Sequence, residues 1–80
     1  MQAWTYIKEL SLGSVGTIVG YEKAYGGYIG KLIALGLTPG AQFIVLDSDT
    51  KKNIVIMLLS DKIVELSKPE TNALCVEEIK

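Results

Sequence analysis

The chain has 80 residues and a formal net charge of −1, from eight lysines and nine acidic residues, with no arginine and no histidine. This balance argues against a nucleic-acid-binding protein, which presents a basic face that usually includes arginine. The single cysteine, Cys75, excludes an internal disulfide and a zinc site made of cysteine pairs. No apolar run is long enough to span a membrane and no secretory signal pattern opens the chain, so we expect a cytoplasmic protein without membrane insertion.

The first half of the chain contains all eight glycines, which mark its predicted corners. Residues 7–13 predict a one-turn lead-in with Ile7 and Leu10 on one side. Residues 15–22 predict a first strand, and the glycines inside it are typical of a strand that bends sharply.

A short helix is predicted at about residues 27–35, followed by a tight corner. Gly36 stands where a left-handed residue ends a helix, and Leu37 is expected to fold back onto Leu32 in a Schellman motif. Pro39-Gly40 suits the central positions of a type II turn. At 100° per residue the apolar side chains form one predicted stripe, made of Tyr28, Ile29, Leu32, Ile33 and Leu35.

The second half of the chain predicts longer strands separated by polar turns. Ser67–Glu70 is expected to form a single helical turn, with a proline near its start. The predicted strands are 41–47, 54–60, 63–66 and 73–79, with a polar hairpin tip at 47–53 and a two-residue turn at Asp61-Lys62.

These elements predict a mainly β fold, a small SH3-like barrel of about five strands with one short helix after the first strand. A closed barrel removes exposed sheet edges, which suits so short a chain. An OB-fold is the alternative, although it usually needs longer strands. We expect a single domain over residues 1–80.

Three groups of residues could be taken for chemical sites. Asp47, Asp49 and Asp61 carry oxygen ligands, but the segment lacks the glycine and distal glutamate of a calcium loop and is better interpreted as a solvated tip. Cys75 lies in an apolar strand without a histidine to activate it, so we expect a buried, inert thiol. The glycine-rich stretch 25–31 lacks the spacing of a phosphate-binding loop. We therefore predict neither catalytic residues nor an enzyme.

Five aromatic side chains form the most distinctive group in the composition. Tyrosine combines a large apolar area with a polar tip, so an exposed cluster often marks a protein contact. The alternative interpretation is that most of them cover the ends of the barrel. The group consists of Trp4, Tyr6, Tyr21, Tyr25 and Tyr28.

In its ordered motifs the chain resembles the FeoA family, small SH3-like proteins of ferrous iron uptake. The resemblance begins with the lead-in pattern that joins Ile7, Leu10, Gly13, Gly16 and Ile18. It continues through Lys31-Leu32-x-x-Leu35-Gly36-Leu37-x-Pro39-Gly40 and the closing segment Leu66, Lys68-Pro69-Glu70 and Leu74-x-Val76. The family commonly has arginine at the positions of Lys31 and Ser67, and often glycine at the position of Asp61.

The resemblance implies a small cytosolic accessory protein that regulates ferrous iron uptake by binding the cytosolic GTP-binding region of the membrane transporter FeoB. It would then act at the inner face of the membrane through that partner. We place the partner contact on the surface around the predicted helix, where apolar and aromatic side chains lie beside one positive charge. The expected contact residues are Tyr25, Tyr28, Lys31 and Ala34, and Gly36, Pro39 and Gly40 are expected to form the structural turn.

No cofactor is expected, and with one cysteine and no histidine any binding of ferrous iron or another divalent metal would be weak and carboxylate-based. A homodimer is compatible with a small barrel that has an apolar helix. The alternative function is a generic SH3-like module for proline-rich or other peptides, which would need a groove lined by aromatics from two loops.

Overall fold

The computed structural model of the protein describes residues 4–48 and 53–79. It is mainly β, and its five antiparallel strands are β1 (Val15–Tyr21), β2 (Gln42–Asp47), β3 (Ile54–Leu58), β4 (Ile63–Leu66) and β5 (Leu74–Ile79). Its helical segments are a first 3-10 turn (Ile7–Glu9), a second 3-10 segment (Lys23–Tyr28), α1 (Ile29–Ala34) and α2 (Lys68–Asn72).

The strands form one sheet in the order β4-β3-β2-β1-β5, so β1 pairs with both β2 and β5. The register of β1 against β5 shifts between Ile18 and Gly20, which bends the strand where glycine allows it. At the far edge of β5, the Thr5 amide donates to the carbonyl oxygen of Val76 at 2.6 Å, and the Val76 amide donates back at 2.8 Å. This strand order confirms the predicted SH3-like arrangement.

The core is built from alternate side chains of the strands together with the lead-in and the helical corner. Ile7 and Leu32 are fully buried beside Phe43, the largest fully buried side chain. Phe43 lies opposite Gly16 across the β1–β2 pair, where only the absence of a Cβ leaves room for its ring. The lead-in that the sequence predicts is therefore part of the core.

The corner after α1 has the predicted geometry. The Leu37 amide donates to the Leu32 carbonyl at 2.9 Å and the Gly36 amide to the Ile33 carbonyl at 3.0 Å, as in a Schellman motif, with Gly36 at φ +92°. In the next turn the Ala41 amide donates to the Thr38 carbonyl, and Gly40 takes φ +95°. These bonds connect a six-residue helix directly to β2.

The predicted helix 27–35 is too long at its start. Tyr25 leaves helical geometry at φ −114° and ψ 32°, and Gly26-Gly27 follow, so the chain enters α1 through a 3-10 segment instead. The predicted apolar stripe is also too wide, because Leu32 is fully buried while Ile33 is 50% exposed. A helix of fewer than two turns presents only a narrow row of side chains to the core.

The predicted two-residue turn at Asp61-Lys62 is wrong. β3 ends at Leu58, whose amide donates to the Lys62 carbonyl at 2.8 Å, so three residues form the turn between the paired ends. The third of them, Asp61, is at φ +66°, a conformation that aspartate tolerates better than most residues. Of the predicted tip at 47–53, residues 49–52 lie outside the described part of the chain.

The predicted helical turn after β4 is one residue later and longer than expected. It forms α2, which ends at Asn72, and Ser67 precedes it in an extended conformation as the N-cap. Pro69 lies in its first turn, where a missing amide has no helical partner to lose.

Candidate partner-binding surface

Three of the four residues predicted to contact a partner are exposed on one side of α1. Tyr28, Lys31 and Ala34 follow one another at three-residue spacing, which keeps them on neighbouring faces of a short helix. Tyr25 instead packs against the core and is only partly accessible. The surface available to a partner is therefore formed by α1 together with Tyr28, which directly precedes it.

The Lys31 side chain pairs with a carboxylate that the sequence analysis did not select. Its Nζ lies 2.5 Å from Oε2 of Glu70 in α2, and the Lys31 side chain is 64% exposed while the Glu70 side chain is almost fully buried. The other carboxylate oxygen, Oε1, accepts bonds from the Ser67 amide at 2.7 Å and the Ser67 hydroxyl at 2.9 Å. Glu70 thus caps α2 and holds α1 at the same time.

The environment of Glu70 favours its charged form. Burial is the largest single influence and would raise the pKa of the carboxyl group, but the hydrogen bonds from Lys31 and Ser67 and the Lys31 charge together outweigh it. The net result is a pKa below the ordinary value. The ammonium group of Lys31 therefore lies against a carboxylate that is negatively charged near neutral pH.

At the end of α1 the surface is concave and partly apolar. A cleft of about 370 Å³ lies between the end of α1 and the β3–β4 turn, with Ile33 at its edge. An exposed apolar rim beside a shallow cleft is the usual form of a protein contact site. The lining residues that matter here are Ile33, Ala34, Gly40, Leu59 and Lys62.

Of two features that were not predicted, one has a signal in the sequence. Ser67-x-x-Glu70 is a capping-box pattern, which predicts a carboxylate turned back onto the N-cap. The exposure of Ile33 has no such signal, because a residue on the edge of an apolar stripe is buried or exposed according to how the helix is rotated. Only the contacts of α1 decide that rotation.

Several of the remaining aromatic residues have structural contacts. The Tyr21 hydroxyl donates to the Leu37 carbonyl at 2.7 Å, which ties β1 to the helical corner, and burial raises the pKa of Tyr21. The Tyr6 hydroxyl donates to Glu22 at 3.3 Å, and the Trp4 and Tyr6 rings meet edge to face with centroids 5.6 Å apart. These contacts are of the kind expected for aromatics that cover a barrel end.

Within residues 4–48 and 53–79, no group of three or more cysteine, aspartate or glutamate side chains is placed to hold a metal ion. Cys75 is buried, and its pKa is raised by burial and then by the nearby Glu22 charge. Asp47 and Asp61 are exposed, while Asp49 lies outside the described residues. Among the same residues, no helix is both long and apolar enough to cross a membrane.

The sequence profile of the FeoA domain matches residues 6–78, which is nearly the whole chain. The chain belongs to the FeoA domain family. The resemblance inferred from the Leu35-Gly36-Leu37-x-Pro39-Gly40 block is thereby confirmed. Among curated proteins, none matches the chain significantly.

Solved structures show the same FeoA fold and its use inside larger proteins. A crystal structure of an iron uptake regulatory protein (FeoA) superposes with a TM-score of 0.83 at 24% identity, over 98% of this chain and 100% of that one. A FeoA-like protein from Clostridium acetobutylicum gives 0.84 at 17% identity, over 100% of this chain and 92% of that one. A manganese-dependent transcriptional repressor gives 0.89 at 18% identity, but 99% of this chain covers only 38% of the repressor.

Proposed function

We propose that this protein is a small, non-enzymatic, cytosolic accessory protein of ferrous iron uptake, and that it binds the cytosolic GTP-binding region of an FeoB-type membrane transporter. Its membership of the FeoA family carries this proposal. Two of the similar structures belong to proteins described as FeoA or FeoA-like, one of them as an iron uptake regulator. The match to that regulator covers 98% of this chain and 100% of the other.

The contact surface that we propose is the exposed side of α1 with the adjoining cleft. It combines the Tyr28 ring and the Ile33 side chain with the small Ala34 at the cleft edge. Burial of such apolar area supplies most of the affinity of a protein contact, and small residues let the partner approach closely. Lys31 adds a donor whose position is fixed by Glu70.

The test is calorimetric titration of the purified transporter GTP-binding domain with this protein and its variants. Tyr28→Ala removes an aromatic contact and Ala34→Glu inserts a charged side chain at the cleft, so each should weaken binding about tenfold or more. Ser11→Glu is the matched control, because it places the same new charge at another exposed small residue.

Equal affinity for all four proteins would remove the contact from α1. A complete lack of binding by the unmodified protein would reject the transporter as partner. Binding of proline-rich peptides, with amide shifts centred on the aromatic side chains, would favour the alternative peptide-binding module.

A further inference from the structure

A row of five apolar residues crosses the sheet on the face that points away from the core. The strand registers place Ile63 opposite Met57, Met57 opposite Ile44, Ile44 opposite Val15, and Val15 opposite Ile79. Directly opposed residues of antiparallel strands project on the same side of the sheet. We call this row, formed by Ile63, Met57, Ile44, Val15 and Ile79, the outer apolar band.

The burial pattern of the strands places the band on the solvent side. In β4, β3 and β2 the neighbours of band residues are buried core residues such as Val64, Ile56 and Phe43, so the band projects the other way. Both ends are exposed, with Ile63 at 63%, and the three central residues are half-buried. Four strand spacings of ~4.8 Å make the band about 19 Å long.

Most of the residues that flank the band are polar, and three of them are acidic. Each flank is a row of residues that are paired across the strands beside the band. Together the two flanks contain three exposed carboxylates and no lysine. The flanks are Glu65, Val55 and Asp47 on one side, and Gln42, Thr17 and Glu77 on the other.

We propose that the outer apolar band is a docking surface for a segment of a partner protein that carries apolar side chains flanked by lysine or arginine. The apolar centre matches the desolvated middle of a protein contact, and the carboxylates on both sides match a basic rim. A second copy of this chain is a poorer occupant, because stacking the same face brings acidic flanks together. The band itself shares no residue with the proposed α1 surface, and of its flanks only Gln42 also lines the adjoining cleft.

The test uses a defined probe, a synthetic amphipathic peptide of leucine and lysine about 14 residues long, which as a helix extends ~21 Å. Amide spectra of the labelled protein follow its addition, and a twin peptide with glutamate in place of lysine serves as the charge control. We expect shifts centred on the band with the lysine peptide, weakened by salt, and none with the glutamate peptide.

Two variants assign the effect to the band. Ile63→Ser removes its most exposed member, and the double variant Ile63→Ser with Met57→Ser should lower the affinity for the lysine peptide about tenfold. Leu12→Ser is the matched control, because Leu12 is 61% exposed but lies outside the band. Ala34→Glu should leave this affinity unchanged, which separates the result from the proposed transporter contact.

Three outcomes would overturn the proposal: equal binding of the glutamate peptide, shifts centred outside the band, or full affinity in the double variant. Shifts of band amides that depend on protein concentration alone would assign the surface to self-association instead. An amide spectrum of the double variant that retains the dispersion of the unmodified protein establishes that it is folded.

Discussion

At the scale of single residues, Gly16 in β1 is in tight contact with the Phe43 ring in β2. A Cβ built on Gly16 would stand 2.6 Å from Cζ of Phe43 and within 3.2 Å of two further ring atoms. The Phe43 ring is fully buried. Gly16 is therefore required by packing and not by an unusual backbone conformation.

Gly16→Ala should lower the free energy of unfolding by about 1–3 kcal/mol, the typical cost of forcing extra volume into a packed core. Urea denaturation followed by circular dichroism measures the change. Gly20→Ala is the control, since no atom lies within 4 Å of a Cβ at Gly20 in the same strand. Equal destabilisation by both variants would show that strand bending, rather than the Phe43 contact, explains the glycines.

Asp61 is the one described non-glycine residue with a positive φ, and it lies at the end of the β3–β4 turn. Asp61→Gly should raise the free energy of unfolding by up to ~1 kcal/mol, because glycine adopts this conformation without a Cβ clash. Lys62→Gly, at the next position, should instead lower it, since glycine only adds unfolded-state entropy there. Thermal melts of the two variants should shift in opposite directions.

At the scale of elements, the Lys31–Glu70 pair links the connection between β1 and β2 to the crossover between β4 and β5. Lys31→Met removes the partner of Glu70 Oε2, while Ser67 still bonds the other oxygen of the buried carboxylate. Because Lys31 is well exposed, we expect a modest loss of about 1 kcal/mol in the free energy of unfolding near neutral pH.

The same pair predicts a pH dependence with a defined sign. The folded-state pKa of Glu70 is below the ordinary 4.5, so its contribution is complete above 4.5 and is lost as the pH falls through the folded-state pKa. The stability deficit of Lys31→Met should therefore shrink as the pH falls below about 4.5. Urea titrations at several pH values measure this difference.

Lys68→Met is the control for charge removal, because Lys68 is an exposed lysine of the helix that contains Glu70. It should change stability by only a few tenths of a kcal/mol and without the same pH trend. A Lys31→Met deficit that stays constant across the acid range would contradict the coupling to Glu70.

The elements that the sequence predicted well are those with strong local signals. Gly36 and Pro39-Gly40 determine the corner through backbone conformations that few other residues adopt, so both its turns were predicted. The prediction of the turn at Asp61 failed because aspartate suits several positions of a turn. Only the pairing of Leu58 with Lys62 fixes the loop length. Local chemistry therefore predicted turns, while register required the whole sheet.

The candidate site was less predictable than the fold. Periodicity correctly placed Lys31 and Ala34 on the exposed side of a helix. Tyr25 precedes the predicted helix, so periodicity gave no information on it, and it packs against the core. The partner of Lys31, Glu70, is 39 positions along the chain. A contact between two short helices in different inter-strand connections has no local sequence signal.

At the scale of the whole molecule, the segment before β1 belongs to the folded unit. Thr5 completes the hydrogen bonding of β5, and Ile7 and Leu10 lie in the core. Trp4 reports on this segment through its contact with Tyr6. We expect Trp4 fluorescence and the β-sheet circular dichroism signal to give the same urea midpoint, as in two-state unfolding.

A Trp4 transition at lower urea than the dichroism transition would contradict that prediction. Thr5→Pro is an informative variant, because proline removes the amide that bonds Val76 at 2.6 Å. It should lower the common midpoint of both signals rather than separate them.

The contact between Gly16 and Phe43 also means that the two positions share one fixed volume. A smaller residue at position 43 would leave the space that a methyl group at position 16 needs. Gly16→Ala should therefore destabilise the Phe43→Leu variant far less than it destabilises the unmodified chain. The energetic effects of the two substitutions would then be non-additive. Related chains with a larger residue at position 16 and a smaller one at position 43 could therefore keep the same barrel.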